Sequence, residues 1–256
     1  MRRRSVVLLV SGVLAVGGIV LPSIQEQGSH GDTRITRVVV NGGKPIVLGP
    51  DSTVPFTFSI TAEDGSGVRS VDNVGFWGPN DGILKASATS CTATSKTVSV
   101  CTGTSSVSTG KSSERAFDDM AGVWHVHAVA NGNDGDKAVE DGAGTFSVLK
   151  AGVLSVFGVQ QVAAKGTHFT VGGLLQKPQW QTKQWVPNPD QKVELQFCAT
   201  GCRKPTVVAK VWSDAQGEII ATVAASSTGT YNWYYPGQYW AQPVASQAVQ
   251  TTVSSG

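Results

Sequence analysis

Charge is scarce in this chain. Asp, Glu, Lys and Arg make up 15% of its 256 residues, 20 of them basic and 18 acidic. So thin and balanced a charge lacks the basic footprint of a nucleic-acid binder. Leucine is scarce too, at 11 against 36 valines, while Ser and Thr together number 48. β-Branched side chains lose rotamer freedom in a helix but fit a pleated sheet, so this mix favours strands and turns. Beyond residue 28 no stretch sustains a 3.6-residue hydrophobic period. Catalytic motifs are also missing: there is no Gly-x-Ser-x-Gly elbow, no His-Glu-x-x-His and no Gly-rich phosphate loop. No enzymatic activity is expected on these grounds, and a secreted hydrolase ranks third among the functional readings.

What is present begins with a leader. Arg2, Arg3 and Arg4 precede an uncharged run from Val6 to Leu21, and Pro22 ends it. Residues 1–28 therefore read as an export signal or, if uncleaved, a membrane anchor, the chain's one route to a membrane. Without them the chain carries 17 basic and 17 acidic residues. The four Cys fall into two close pairs, Cys91 with Cys101 and Cys198 with Cys202. In an oxidising compartment such pairs form disulfides. A zinc site is the rival reading, but the two-residue spacing and nearby His of a zinc knuckle are lacking.

Short alternating runs separated by turns fill the remainder. Strands are expected in the first half near Ile35–Val40, Val54–Thr61, Val68–Phe76, Ile83–Ala88, Thr97–Cys101, Val123–Ala130 and Thr145–Leu149. In the second half they are expected near Gly152–Val162, His168–Leu174, Lys192–Cys198, Thr206–Trp212, Ile219–Ala224, Thr230–Tyr235 and Ala248–Val253. Seven strands per half suit one β-sandwich each, over residues 32–149 and 151–256. On the strand expected over Val123–Ala130, Trp124, Val126 and Ala128 make the core face, which sends His125 and His127 to solvent.

Two stretches resemble a known family. Asp64-Gly65-Ser66-Gly67-Val68-Arg69-Ser70-Val71 is similar to the turn between the second and third strands of bacterial immunoglobulin-like domains. Gly122-Val123-Trp124-His125-Val126-His127-Ala128 is similar to their penultimate strand. The second half, with Val193-Glu194-Leu195-Gln196-Phe197 and Gly229-Thr230-Tyr231-Asn232-Trp233, resembles a further such module of secreted actinobacterial proteins. The resemblance implies an all-β fold of two tandem immunoglobulin-like sandwiches and an extracellular or cell-envelope setting. It implies no reaction, because fold does not fix function.

Two candidate sites emerge. In an immunoglobulin-like sandwich the loop after the second strand and the loop before the last lie at one end. Here they offer Glu63 and Asp64, and then Asn131, Asn133, Asp134, Asp136, Glu140 and Asp141. Calcium takes six to eight hard oxygen ligands, so these residues form a candidate calcium site. Asn, Asp and Gly are also ordinary turn formers, and that reading stays open. The second candidate is aromatic. Trp180, Trp185, Tyr234, Tyr239 and Trp240 are hard to bury together and could stack on sugar rings, although packing is the alternative. The expected role is a non-catalytic binding or scaffold protein, with cell-wall polysaccharide or another envelope protein as partner. A calcium-binding extracellular protein is the second reading.

Overall fold

The computed structural model describes residues 28–110 and 115–254. The leader expected over 1–28 lies, Gly28 apart, outside the described residues. Among the described residues every regular element of more than three residues is a strand.

The first half contains β1 (Arg34–Val40), β2 (Ile46–Leu48), β3 (Thr53–Glu63), β4 (Val68–Gly78), β5 (Gly82–Lys85), β6 (Ser90–Ala93), β7 (Val98–Ser108), β8 (Gly122–Gly132) and β9 (Lys137–Lys150). They form two sheets, of order β1-β3-β7-β6 and β2-β9-β8-β4-β5. The chain changes sheet between β1, antiparallel to β3, and β2, parallel to β9. Asn41, Gly42 and Gly43 make that crossing with positive φ.

The second half contains β10 (Val153–Leu154), β11 (Val162–Ala164), β12 (His168–Gln179), β13 (Gln184–Pro187), β14 (Lys192–Ala199), β15 (Thr206–Trp212), β16 (Glu218–Ala224), β17 (Gly229–Tyr235), β18 (Val244–Ala245) and β19 (Val249–Ser254). The same switch recurs: β10 pairs antiparallel with β12, and β11 runs parallel to β19. The single strand expected over Gly152–Val162 is thus two short ones belonging to different sheets. In both halves an edge segment shared between two facing sheets, with the last strands returning beside it, gives the immunoglobulin-like sandwich.

Alternation explains each core. On β3, Phe56, Phe58, Ile60 and Ala62 point inward, and Thr57, Ser59 and Thr61 point outward. Phe56, Phe58 and Phe146 each pack on Phe76, or on one another, with ring centroids 5.5–5.8 Å apart. In the second sandwich Tyr231 packs on Phe169 and Phe197 at 5.5 and 4.7 Å. Trp233 satisfies its buried N–H on the Gly172 carbonyl at 3.0 Å. Both disulfides are present. Cys91 and Cys101 sit directly opposite on β6 and β7, and Cys198 and Cys202 close a turn after β14.

Candidate functional site

Three carboxylates converge at the end of the first sandwich where β3 turns into β4 and β8 into β9. Ligand oxygens of Asp32, Asp64 and Asp136 lie within 4.8 Å of one another. Asp64 is buried, and each of its oxygens is held. Oδ1 accepts from the Ser66 N–H at 2.8 Å and the Ser66 hydroxyl at 2.6 Å, and Oδ2 accepts from Thr33. Burial pushes this carboxyl up, but the bonds from Ser66, Thr33 and the Gly67 N–H outweigh it and hold the group below the usual carboxylate value. Asp136 accepts from the Asp32 N–H at 2.9 Å, and Asp32 accepts from Gly65 N–H at 3.3 Å. Two glycines permit the approach. A Cβ at Gly31 would meet the Asp136 carboxylate at 1.8 Å, and one at Gly132 would meet Asp64 Oδ2 at 2.2 Å. Among the described residues no Lys, Arg or His forms an ion pair with any of the three.

This cluster differs from the expected calcium set. Asp64 and Asp136 belong to it, and Asp32 joins from the segment before β1. Glu63 lies on β3, where its carboxylate pairs with Arg34 at 3.1 Å. Asn131 donates to Ser70 and Asp72. Asn133 donates to the Ser66 carbonyl, and Asp134 accepts from the Asp136 N–H as an ordinary turn residue. Glu140 and Asp141 lie on β9, because the connection expected from Asn131 to Asp141 is a tight turn and strand pairing resumes at Lys137. Asp141 accepts from His127 at 2.7 Å. The donor chemistry of the three convergent carboxylates fits a hard cation: two oxygens bound to one calcium at about 2.3–2.6 Å lie at most about 5 Å apart.

The opposite end of the first sandwich meets the second. Hairpin β12–β13 carries Trp180 at its tip, and the indole is fully buried within the first sandwich's core. Its backbone N–H donates to the Asp118 carboxylate at 3.0 Å, and its ring N–H to the Leu48 carbonyl at 3.5 Å. Lys150, 8% exposed at its side chain, forms an ion pair with Asp118. The Lys150 ammonium also stands 5.2 Å from the Trp180 ring centroid. Lys183 reaches Asp51 at 2.9 Å. Lys150 N–H donates to the Trp240 carbonyl, and Gln242 N–H to that of Lys150. Lys177 lies over the Trp240 ring; burial and then the Lys150 charge lower its pKa, with Asp118 opposing.

No family model and no curated protein matches the chain. Solved structures do. The D00–D0 domains of intimin match at 12% identity and a TM-score of 0.30, over 84% of this chain and 99% of that one. A DUF4785 family protein from Legionella pneumophila matches at 14% and 0.39, over 81% and 56%. A superoxide reductase from Ignicoccus hospitalis matches at 12% and 0.29, over 40% and 80%. Likenesses this distant carry no functional argument, and the fold assignment rests on the strand order given above.

The junction corrects the aromatic ligand surface. Trp180 is core of the neighbouring sandwich and offers nothing to solvent. Trp240 is half-buried against both cores. Tyr234 is half-buried on the outer side of β17, since Tyr231, Trp233 and Tyr235 take its inner side. Trp185 on β13 and Tyr239 in the turn before Trp240 are exposed, at 37% and 75%. Sequence alternation shows which face a strand residue takes, but not what a hairpin tip will dock into. Asp32 was missed because it precedes the first strand and belongs to neither expected loop.

Proposed function

We propose that the protein is an exported, non-catalytic scaffold of the cell envelope or extracellular space, whose two sandwiches act as one rigid binding unit. The insertion of Trp180 into the neighbouring core carries this reading, because it couples the two halves through a buried aromatic whose backbone N–H bonds Asp118 of the first sandwich. Two disulfides with no free thiol among the described residues support an oxidising compartment. Asp64 at one end and Lys150 at the other are held by hydrogen bonds and an ion pair to neighbouring groups of the fold. Recovery from envelope and culture-medium fractions, with an intact mass four protons below that of the fully reduced chain, tests export. A cytoplasmic, reduced product, or turnover on a hydrolase panel, overturns the reading.

The Asp32, Asp64 and Asp136 cluster favours a second reading, calcium binding at the far end of the first sandwich. An ion there would be held by these three carboxylates and would offset their mutual repulsion. A ligand that binds only the folded state raises the melting temperature. A rise in millimolar calcium over chelator, lost in Asp136→Asn, is the expected result, and no rise refutes it.

A further inference from the structure

The outer face of the β2-β9-β8-β4-β5 sheet carries a group of residues apart from both the carboxylate cluster and the junction, Asp141 of the expected calcium set among them. Trp77 on β4 is directly opposite His125 on β8, and the two rings stack with centroids 4.0 Å apart and planes 13° from parallel. The indole N–H donates to the Asp141 carbonyl at 2.7 Å. Asp141 is on β9, beyond β8 in the sheet, so the indole lies across β8 with one face on the imidazole. The residue is 44% exposed. β9 shifts register between its pairings with Val126 and Ala128, and this bulge places Asp141 at the end of the indole. A bulge re-aims a side chain in this way. The Asp141 carboxylate, 87% exposed, is oriented by His127 Nδ1 at 2.7 Å. Exposed Ile83 is directly opposite Trp77 on β5.

We infer that this face is a saccharide-binding platform, with Trp77 as the stacking ring and Asp141 as acceptor for sugar hydroxyls. The inference deepens the scaffold reading and rests on it. A pyranose ring presents a flat C–H face, which packs on the electron-rich face of an indole, and hydroxyls at its rim. The platform supplies both partners already fixed: the ring by a stack and a hydrogen bond, the carboxylate by an imidazole. Binding therefore orders few side-chain rotamers, which removes one of the costs of association. A lone ring also suits a sugar better than a quaternary ammonium, which is recognised by a cage of several rings.

Native affinity electrophoresis of the full chain in gels containing glucan, mannan or xylan, with co-sedimentation on peptidoglycan, tests the inference. Retention by at least one polymer is expected. Trp77→Ala should weaken it about tenfold, as loss of a stacked ring implies. Trp77→Phe should keep part of it, and Trp212→Ala, which removes an exposed tryptophan on β15, should keep all of it. Retention by none of the polymers, or retention unchanged in Trp77→Ala, overturns the inference. If retention fails while the chain is still exported with both disulfides, the glycan inference falls and the scaffold reading stands.

Discussion

Replacing Trp180 by Ala tests the coupling of the two sandwiches. The side chain has no solvent exposure and lies in a core against which its own sandwich otherwise packs only the half-buried Trp240. A buried Trp hides about 150–250 Å². At about 25 cal/mol per Å² this is worth roughly 4–6 kcal/mol, an upper bound because the unfolded chain buries part of it too. Trp→Ala truncations in cores cost about 3–5 kcal/mol. For a chain of this size each kcal/mol moves the melting temperature by about 2–4 °C, so a fall of roughly 6–20 °C is expected. The form of the transition matters more than the size of the shift. The parent should unfold in one calorimetric transition, because opening either sandwich exposes Trp180 or its socket. Trp180→Ala should give two, with the first sandwich melting earlier. A single transition within about 2 °C of the parent would refute the coupling.

Lys150→Met should cost about 3 kcal/mol, because it strands the Asp118 carboxylate beside a buried indole; Lys150→Met with Asp118→Leu should recover much of the loss in a double-mutant cycle by urea unfolding. Removing the Cys91–Cys101 bridge, which spans 10 residues, should cost about 3 kcal/mol, and removing Cys198–Cys202, which spans 4, about 2. Chemical denaturation of the paired Cys→Ala variants checks that order. In the folded chain the Asp64 carboxyl is held below its ordinary value, so its contribution is complete above that value and is lost as pH falls through the lower folded one. Asp64→Asn should therefore be less stable at neutral pH, with a flatter acid limb below about pH 4 in pH-dependent unfolding.

Strand identity is readable from alternation in the longer strands, whereas short β2, β6, β13 and β18 lie outside the expected set because two to four residues give too little alternation to read. Thr206–Trp212 coincides with its expected bounds, and most others differ by one or two residues at an end. The larger differences have physical causes. β7 continues seven residues past Cys101 to Ser108, since small hydroxyl residues pair as well as Val does while giving no hydrophobic alternation. β9 begins at Lys137, well before the expected Thr145, because Asn, Asp and Gly signal a turn without fixing its length. The all-β class and tandem immunoglobulin-like sandwiches were legible because they depend on local pattern and strand order. The convergence of Asp32 with Asp64 and Asp136, and the docking of Trp180, depend on contacts between residues 32 to 132 apart in sequence. No local pattern encodes such contacts.

The tryptophans separate structural fixation from functional fixation. Four of the seven donate their ring N–H to a backbone carbonyl: Trp124 to Met120, Trp180 to Leu48, Trp233 to Gly172 and Trp77 to Asp141. In the first three the ring is fully buried, and an unmade bond would leave a donor without water, at a cost of about 1–3 kcal/mol. Burial alone accounts for those bonds. Trp77 is 44% exposed, so water could take its N–H at little cost. Its bond, the shortest of the four at 2.7 Å, therefore adds little to folding and chiefly removes rotational freedom from the ring. The His125 stack restrains the same ring. Ordering an exposed side chain costs entropy, and folding gains little in return. A ligand that meets the ring already ordered gains it by avoiding that cost on binding. Trp77→Phe isolates the effect, since Phe keeps an aromatic face and loses the N–H: stability should barely change while saccharide retention falls. A Trp77→Phe chain that loses stability and keeps full retention would assign the bond to folding instead.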